Sequence, residues 1–504
     1  MPTVTSRMKL AYSPTEAWQP LPVADWNADA AGHLLRRAGW SAQPAEIEQA
    51  TREGLTATLA RLFPAQPALW AEPPLIAHLK EEIPAMARGL ADAQAGPDKQ
   101  RLQREARERT QLAVLDMSIK WLQYAAQPQN AAFAKWVLFL SDVYVVGIQK
   151  VKNAALVWGH FDLLARHAFD SAPALAKAVS RSPAMVTYLD LNQSKREAPN
   201  ENFARELFEL FLLGEGNYTE ADIKESARAF TGYRQQFGTF RFAPRQHDAG
   251  IKTVFGQSGY FMGDDVIDLA FRQPAAGAFL PHEMGKFYLT DTPLPPEYLH
   301  EIGNWWSAQH YDLHALALRF FGSQLFFSPE FRGDFIKSPI QFYLGLVQDL
   351  GLSVAPLPRA VLNPLRQMGQ TLFNPPNVRG WVGGRNWINS ATFQARRQLV
   401  ETLFAPIREE SLNADEQLEL VAARANGVSN FTVADGLLAP LAVLDPAVAT
   451  THLLANYLAL PAAPEFRDAV RQFLAPEQAD APQKLRRLRR AAVTLLQSPE
   501  YQLC

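Results

Sequence analysis

Apolar side chains recur at three- and four-residue intervals through most of this 504-residue chain. That spacing lines one face of a helix and restricts the chain to a mainly helical fold. The first such stretch ends near Gly39, and a second runs from Pro44 to Gly54. Residues 97–127 read as one long helix whose first half, DKQRLQREARER, is polar on every face. This is the pattern of a solvated helix carrying Glu–Arg pairs. Further helical patterns cover about 130–147, 153–168, 201–213, 219–231, 264–272, 297–308, 311–321, 339–350, 357–371 and 482–497. Residues 239–242 and 253–255 have strand character and are expected to pair across APRQHDAGI as a hairpin. The fold class expected is all-α: a multi-helix single body with one small β-hairpin insertion. Turn-rich stretches divide it into an N-terminal extension (1–26), a helical core (27–404) and a C-terminal helical layer (405–504) packed on that core.

Several function classes are excluded at once. The formal net charge is −2, which gives no general grip on nucleic acid. The basic run KLRRLRR at 484–490 reads as a surface face. One cysteine, Cys504, leaves no internal disulfide and no cysteine metal cluster. The apolar run 137–148 is interrupted by Ser141 and Asp142 and is too short to span a bilayer, which takes roughly 20 residues. No apolar segment follows Arg7 and Lys9 to make a signal peptide, so the expected compartment is the cytoplasm.

Three segments carry polar chemistry. In PNENFARELFELFLLGEGNYTEADI (199–223), Glu201, Arg205 and Glu209 fall at i, i+4 and i+8, and Glu206 lies on a neighbouring flank. Carboxylates held close to one another and to an arginine act as acids, bases or metal ligands. The plainer account is an ion-pair ladder with good caps, including Thr219 and Asp222 as a capping box. In RQHDAGIKTVFGQSG (245–259), His247, Asp248 and Lys252 crowd a glycine-bearing loop, where His beside Asp serves as a base or a ligand. Alternatively, Asp248 caps its own turn. In NPPNVRGWVGGRNWINSATFQARR (374–397), Asn377, Trp381, Trp387 and Asn389 offer a platform for a planar or saccharide-like ligand, or anchor an ordered loop. No phosphate loop, nucleophile elbow, zinc-protease or dinucleotide motif stands in proper context.

These segments, with HLLRRAGWSAQPAEI (33–47), SPAMVTYLD (182–190) and GDDVIDL (263–269), occur in an order that resembles the bacterial family domain of unknown function 1800. The resemblance runs from about residue 30 to about 400. It implies a largely helical fold and no settled activity. Many relatives look exported, and many are encoded beside a sulfatase-like protein, which implies a protein partner. The family pattern Trp-His-Asn-His-Phe is absent: residues 140–144 read Leu, Ser, Asp, Val, Tyr, so Ser141 and Val143 occupy the two histidine positions. Asp142 and Ser141 are then the available oxygen ligands, suited to a hard divalent metal. The expectation is an enzyme with a carboxylate and histidine site, metal-assisted or not, acting on a polar or saccharide-like substrate. Its catalytic wall would be Glu201, Arg205, Glu206, Glu209, His247, Asp248 and Lys252. The alternative is a non-catalytic helical scaffold that works with a partner enzyme.

Overall fold

Thirty-six prolines sit comfortably in a helical chain because many of them open helices. At the first helical position proline's fixed φ is already correct, and its missing N–H has no partner to lose. The computed structural model describes residues 10–93, 95–475 and 480–504. The elements that position the site are, in chain order, α1 (Ala28–Ala38), α2 (Pro74–Asp92), α3 (Pro97–Ala125), α4 (Pro128–Val143), α5 (Asn202–Glu206) and α6 (Glu220–Ala229). Then come β1 (Tyr233–Gln236), β2 (Thr239–Phe242), β3 (Lys252–Val254), β4 (Gln257–Gly259), α7 (Pro274–Tyr288) and α8 (Pro296–Ala308). The rest are α9 (Pro339–Asp349), α10 (Ser390–Phe404), α11 (Ala414–Ala425), α12 (Pro446–Tyr457), α13 (Pro464–Leu474) and α14 (Ala481–Leu496).

The chain is mainly helical, and strands are confined to two short hairpins among the described residues. The pairing of those strands corrects the expectation. Residues 239–242 do not pair with 253–255; β2 pairs with β1, and β3 pairs with β4. Each hairpin closes through a Phe-Gly pair with positive φ at both residues: Phe237 and Gly238, then Phe255 and Gly256. Two such residues make the primed turn whose twist matches antiparallel strands. Tight local closure wins over pairing across a long loop, which carries a larger entropy cost.

The segment 201–213 also differs from a plain helix. α5 gives way to a π-helical turn, Leu207–Leu212, before Gly214 and Gly216 end it at positive φ. The wider turn rotates Glu209 out of line with Glu201 and Arg205. Asn200 accepts the Asn202 N–H with its side chain, and the helix begins one residue later than its sequence suggests. Thr219 and Asp222 form the expected capping box of α6.

One buried junction ties the layers together. The C-terminal end of α1 points into the protein, where its last carbonyls lack intrahelical partners. Lys135 of α4 donates to the carbonyls of Arg37 and Gly39 at 2.8 and 2.9 Å. Gln341 of α9 donates to the carbonyl of Arg36 at 2.9 Å. Arg37, 1% exposed, in turn donates to the carbonyls of Tyr288 and Leu289 at the end of α7 and to Asp334. α1, α4, α7 and α9 are thereby locked in one register around the floor of a cleft. Lys135→Met fills similar volume but leaves two buried carbonyls unpaired, so it is expected to lower unfolding free energy by about 2–4 kcal/mol. Urea denaturation measures this, and an unchanged midpoint would contradict the assignment.

Candidate functional site

On α4, Lys135, Phe139 and Asp142 follow at i, i+4 and i+7, so they share one face. That face lines a deep pocket with Glu283 and Lys286 of α7 and with Trp381 and Trp387 of the 374–389 loop. The pocket continues outward into a cleft of about 640 Å³, walled by Glu209, His282, Glu283, Lys286, Arg379 and Trp381. Asp142 belongs to both cavities and marks their junction.

The loop above Asp142 is held by two carboxylates of the helical body. Asp142 Oδ1 accepts the Trp381 N–H at 2.8 Å, and Asp291 Oδ2 accepts the Arg385 N–H at 3.0 Å. Both contacts require glycine. Gly380 and Gly384 have φ of +76° and +63°, and a Cβ on either would overlap Asp142 or Asp291 respectively. Outside, Arg379 bridges Glu209 at 2.7 Å and Glu215 at 2.9 Å, and Glu209 also accepts the Tyr218 hydroxyl hydrogen bond at 3.0 Å.

Burial holds the Asp142 carboxyl up to about 7. The Trp381 N–H favours its ionised form, nearby Glu283 opposes it, and Lys286 favours it. Glu283 pairs with Lys286 at 2.8 Å. Burial and the neighbouring Glu209 raise Glu206 as well. Burial pulls the Lys135 ammonium down to about 7, but its donors are committed to the α1 carbonyls. The chemistry available at the junction is therefore proton transfer by a carboxyl poised near neutrality, beside an aromatic rim.

The structure brings parts of the first and third sequence segments together and leaves the second apart. Glu209, Arg379, Trp381 and Trp387 reach the cleft or its deep pocket. Arg205 turns away and pairs with Glu201 and Glu220, so the expected i, i+4, i+8 ladder breaks at the π turn. His247, Asp248 and Lys252 are not among the residues lining either cavity. His247 Nδ1 sits 3.0 Å from the Thr231 carbonyl, Asp248 pairs with Arg228 at 2.7 Å, and Lys252 donates to the carbonyls of Asp248 and Gly250. This loop ties the hairpins to α6. Asn377 accepts the Arg379 N–H, and Asn389 caps α10. Both shape the loop and neither lines the cavities.

Asp142 faces the cleft, whereas Ser141 donates back to the Leu138 carbonyl at 2.7 Å. Among the described residues no three His, Cys, Asp or Glu side chains are grouped to hold a metal ion. Glu283, Lys286 and His282 carried no motif. The available signal was a lone aspartate inside an apolar helical run, since an acid placed there must be satisfied by something specific.

Asp142→Asn keeps the acceptor for Trp381 and removes the charge. In the unfolded chain this carboxyl ionises near pH 4; in the folded protein it holds its proton to about pH 7. Wild-type stability therefore falls relative to the variant as pH rises from about 4 to 7, by roughly 4 kcal/mol, and the difference is flat above that window. Denaturation midpoints across pH check this; parallel curves would contradict it. Gly380→Ala is expected to undock the loop while the helical body stays folded. The readout is limited proteolysis within 374–389 at unchanged far-ultraviolet circular dichroism.

A family model described as protein of unknown function (DUF1800) matches residues 33–503. Neither a curated protein nor a solved structure matches the chain. Among the described residues, no helix is long and apolar enough to cross a membrane.

Proposed function

The chain belongs to the DUF1800 family, and on that premise we propose that it is an enzyme performing acid–base chemistry on a polar, saccharide-like substrate in the cleft between α4, α7 and the 374–389 loop. Asp142 is the proton donor and acceptor. Glu283 and Lys286 set the local charge, and Trp381 forms the stacking surface at the rim. Arg379, held by Glu209 and Glu215, fixes the outer wall.

The observation that carries this reading is the convergence at Asp142 of two cavities, a carboxylate–lysine pair and a tryptophan-bearing loop. A saccharide suits that lining because its ring carbons stack on an aromatic face while its hydroxyls hydrogen-bond to the carboxylates and arginine. Proton transfer suits a carboxyl that retains its proton at neutral pH, since catalytic efficiency peaks when the pKa lies near the working pH.

The experiment is a panel of neutral and acidic oligosaccharides, titrated by calorimetry and followed for product formation. One class is expected to bind. Trp381→Ala should weaken binding at least tenfold. Asp142→Asn should bind but lose turnover by about a hundredfold or more, the usual worth of a general acid or base. A folded protein that binds none of the panel, or turnover untouched by Asp142→Asn, would overturn the proposal.

A further inference from the structure

A second cavity, about 420 Å³, lies away from the cleft, where α1 meets the 332–333 corner, the end of α12 and the loop leading to α13. Its walls differ in character. One carries Arg36, Arg332 and Arg467, with His33 and a single carboxylate, Asp29. The other is aliphatic, formed mainly by Leu454, Leu458 and Leu460.

The arginines of this cavity have few partners. Among the described residues none of the three makes an ion pair. Arg332 spends its Nε on the Phe327 carbonyl at 3.2 Å. The half-buried Arg36 makes no hydrogen bond through its guanidinium to a described residue, and burial is the main influence on it. The aspartates that face Arg36 are Asp349 and Asp29. Asp349 is already engaged by Ser41, Gln43 and Tyr501. His33 adds no charge: burial and the neighbouring arginines push its pKa well down, and its Nε2 lies 2.9 Å from the Phe326 carbonyl. Three guanidinium groups thus share the lining with Asp29 and the last residue, Cys504, and outnumber the anionic groups there.

The mouth is shaped as well. Gly333 has φ of +66°, and Leu460 packs where its Cβ would stand. The loop 458–462 thus seats against the arginine corner and brings the aliphatic wall over it.

We propose that this cavity binds an amphipathic anion, with a carboxylate or phosphate headgroup on Arg36, Arg332 and Arg467 and an aliphatic chain along Leu454, Leu458 and Leu460. Guanidinium groups match both oxyanions in a forked geometry. The leucine wall selects for the chain. The site is independent of the acid–base cleft and stands or falls without it.

The test titrates the full-length protein with octanoate and octyl phosphate by calorimetry, with inorganic phosphate and octan-1-ol as comparisons. Saturable binding of one anion per chain is expected, at least tenfold tighter than phosphate or octanol. Arg332→Gln and Arg467→Gln, both at accessible positions, should each weaken it at least fivefold. Arg36→Gln should abolish it, with circular dichroism to confirm folding. The proposal is overturned if neither octyl anion binds, if the arginine variants bind unchanged, or if octanol binds as tightly. Inorganic phosphate binding as tightly as octyl phosphate overturns the aliphatic half.

Discussion

The buried end of α1 is the constraint on which the arrangement depends. A helix terminus directed into a protein brings carbonyls that water cannot reach, and each must find a donor. Here the donors come from α4 and α9, while Arg37 of α1 serves the end of α7 in the same way. Because Lys135 and Asp142 stand on one face of α4, fixing the first also aims the second. The cleft floor is thus a consequence of how a helix end is satisfied two turns away.

Asp142 serves two purposes that pull its proton in opposite directions. As the anchor of the tryptophan loop it accepts an N–H, which favours the carboxylate. As a buried group beside Glu283 it favours the neutral acid. The balance leaves it near neutrality and couples its charge to the loop above it. Glycine at 380 permits this close approach, so loop conformation and acid strength rest on the same few atoms.

Much of the fold was legible in the sequence. Periodicity located α3 and α4 but not α2 or α7, and the Thr219–Asp222 box fell where its spacing placed it. The tryptophan loop was visible as an irregular, turn-rich segment from its composition alone. The π turn was not, because nothing in LFELFL distinguishes a wider turn from an α-helical one, yet it decides that Glu209 meets Arg379 rather than Arg205. The hairpins were mispaired because Phe-Gly is a weak turn signal beside Asn-Gly. Glu283 and Lys286 were invisible because an ordinary i, i+3 pair gains significance only from the cavity beside it. His247 and Asp248 stand outside the cleft, and Asp248 pairs with Arg228 and accepts the Gly250 N–H, the turn-capping alternative its sequence also offered.

The account turns on one carboxyl group at the junction of two cavities. Carbon-13 NMR of the aspartate side-chain carboxyls, recorded from pH 3 to 9 with Asp142→Asn as the assignment control, observes it directly. The account predicts one resonance that titrates near pH 7 and is missing from the variant. If the resonance lost in the variant instead titrates near 4, in the range of an ordinary aspartate, Asp142 is only an anchor for the loop and the acid–base reading fails.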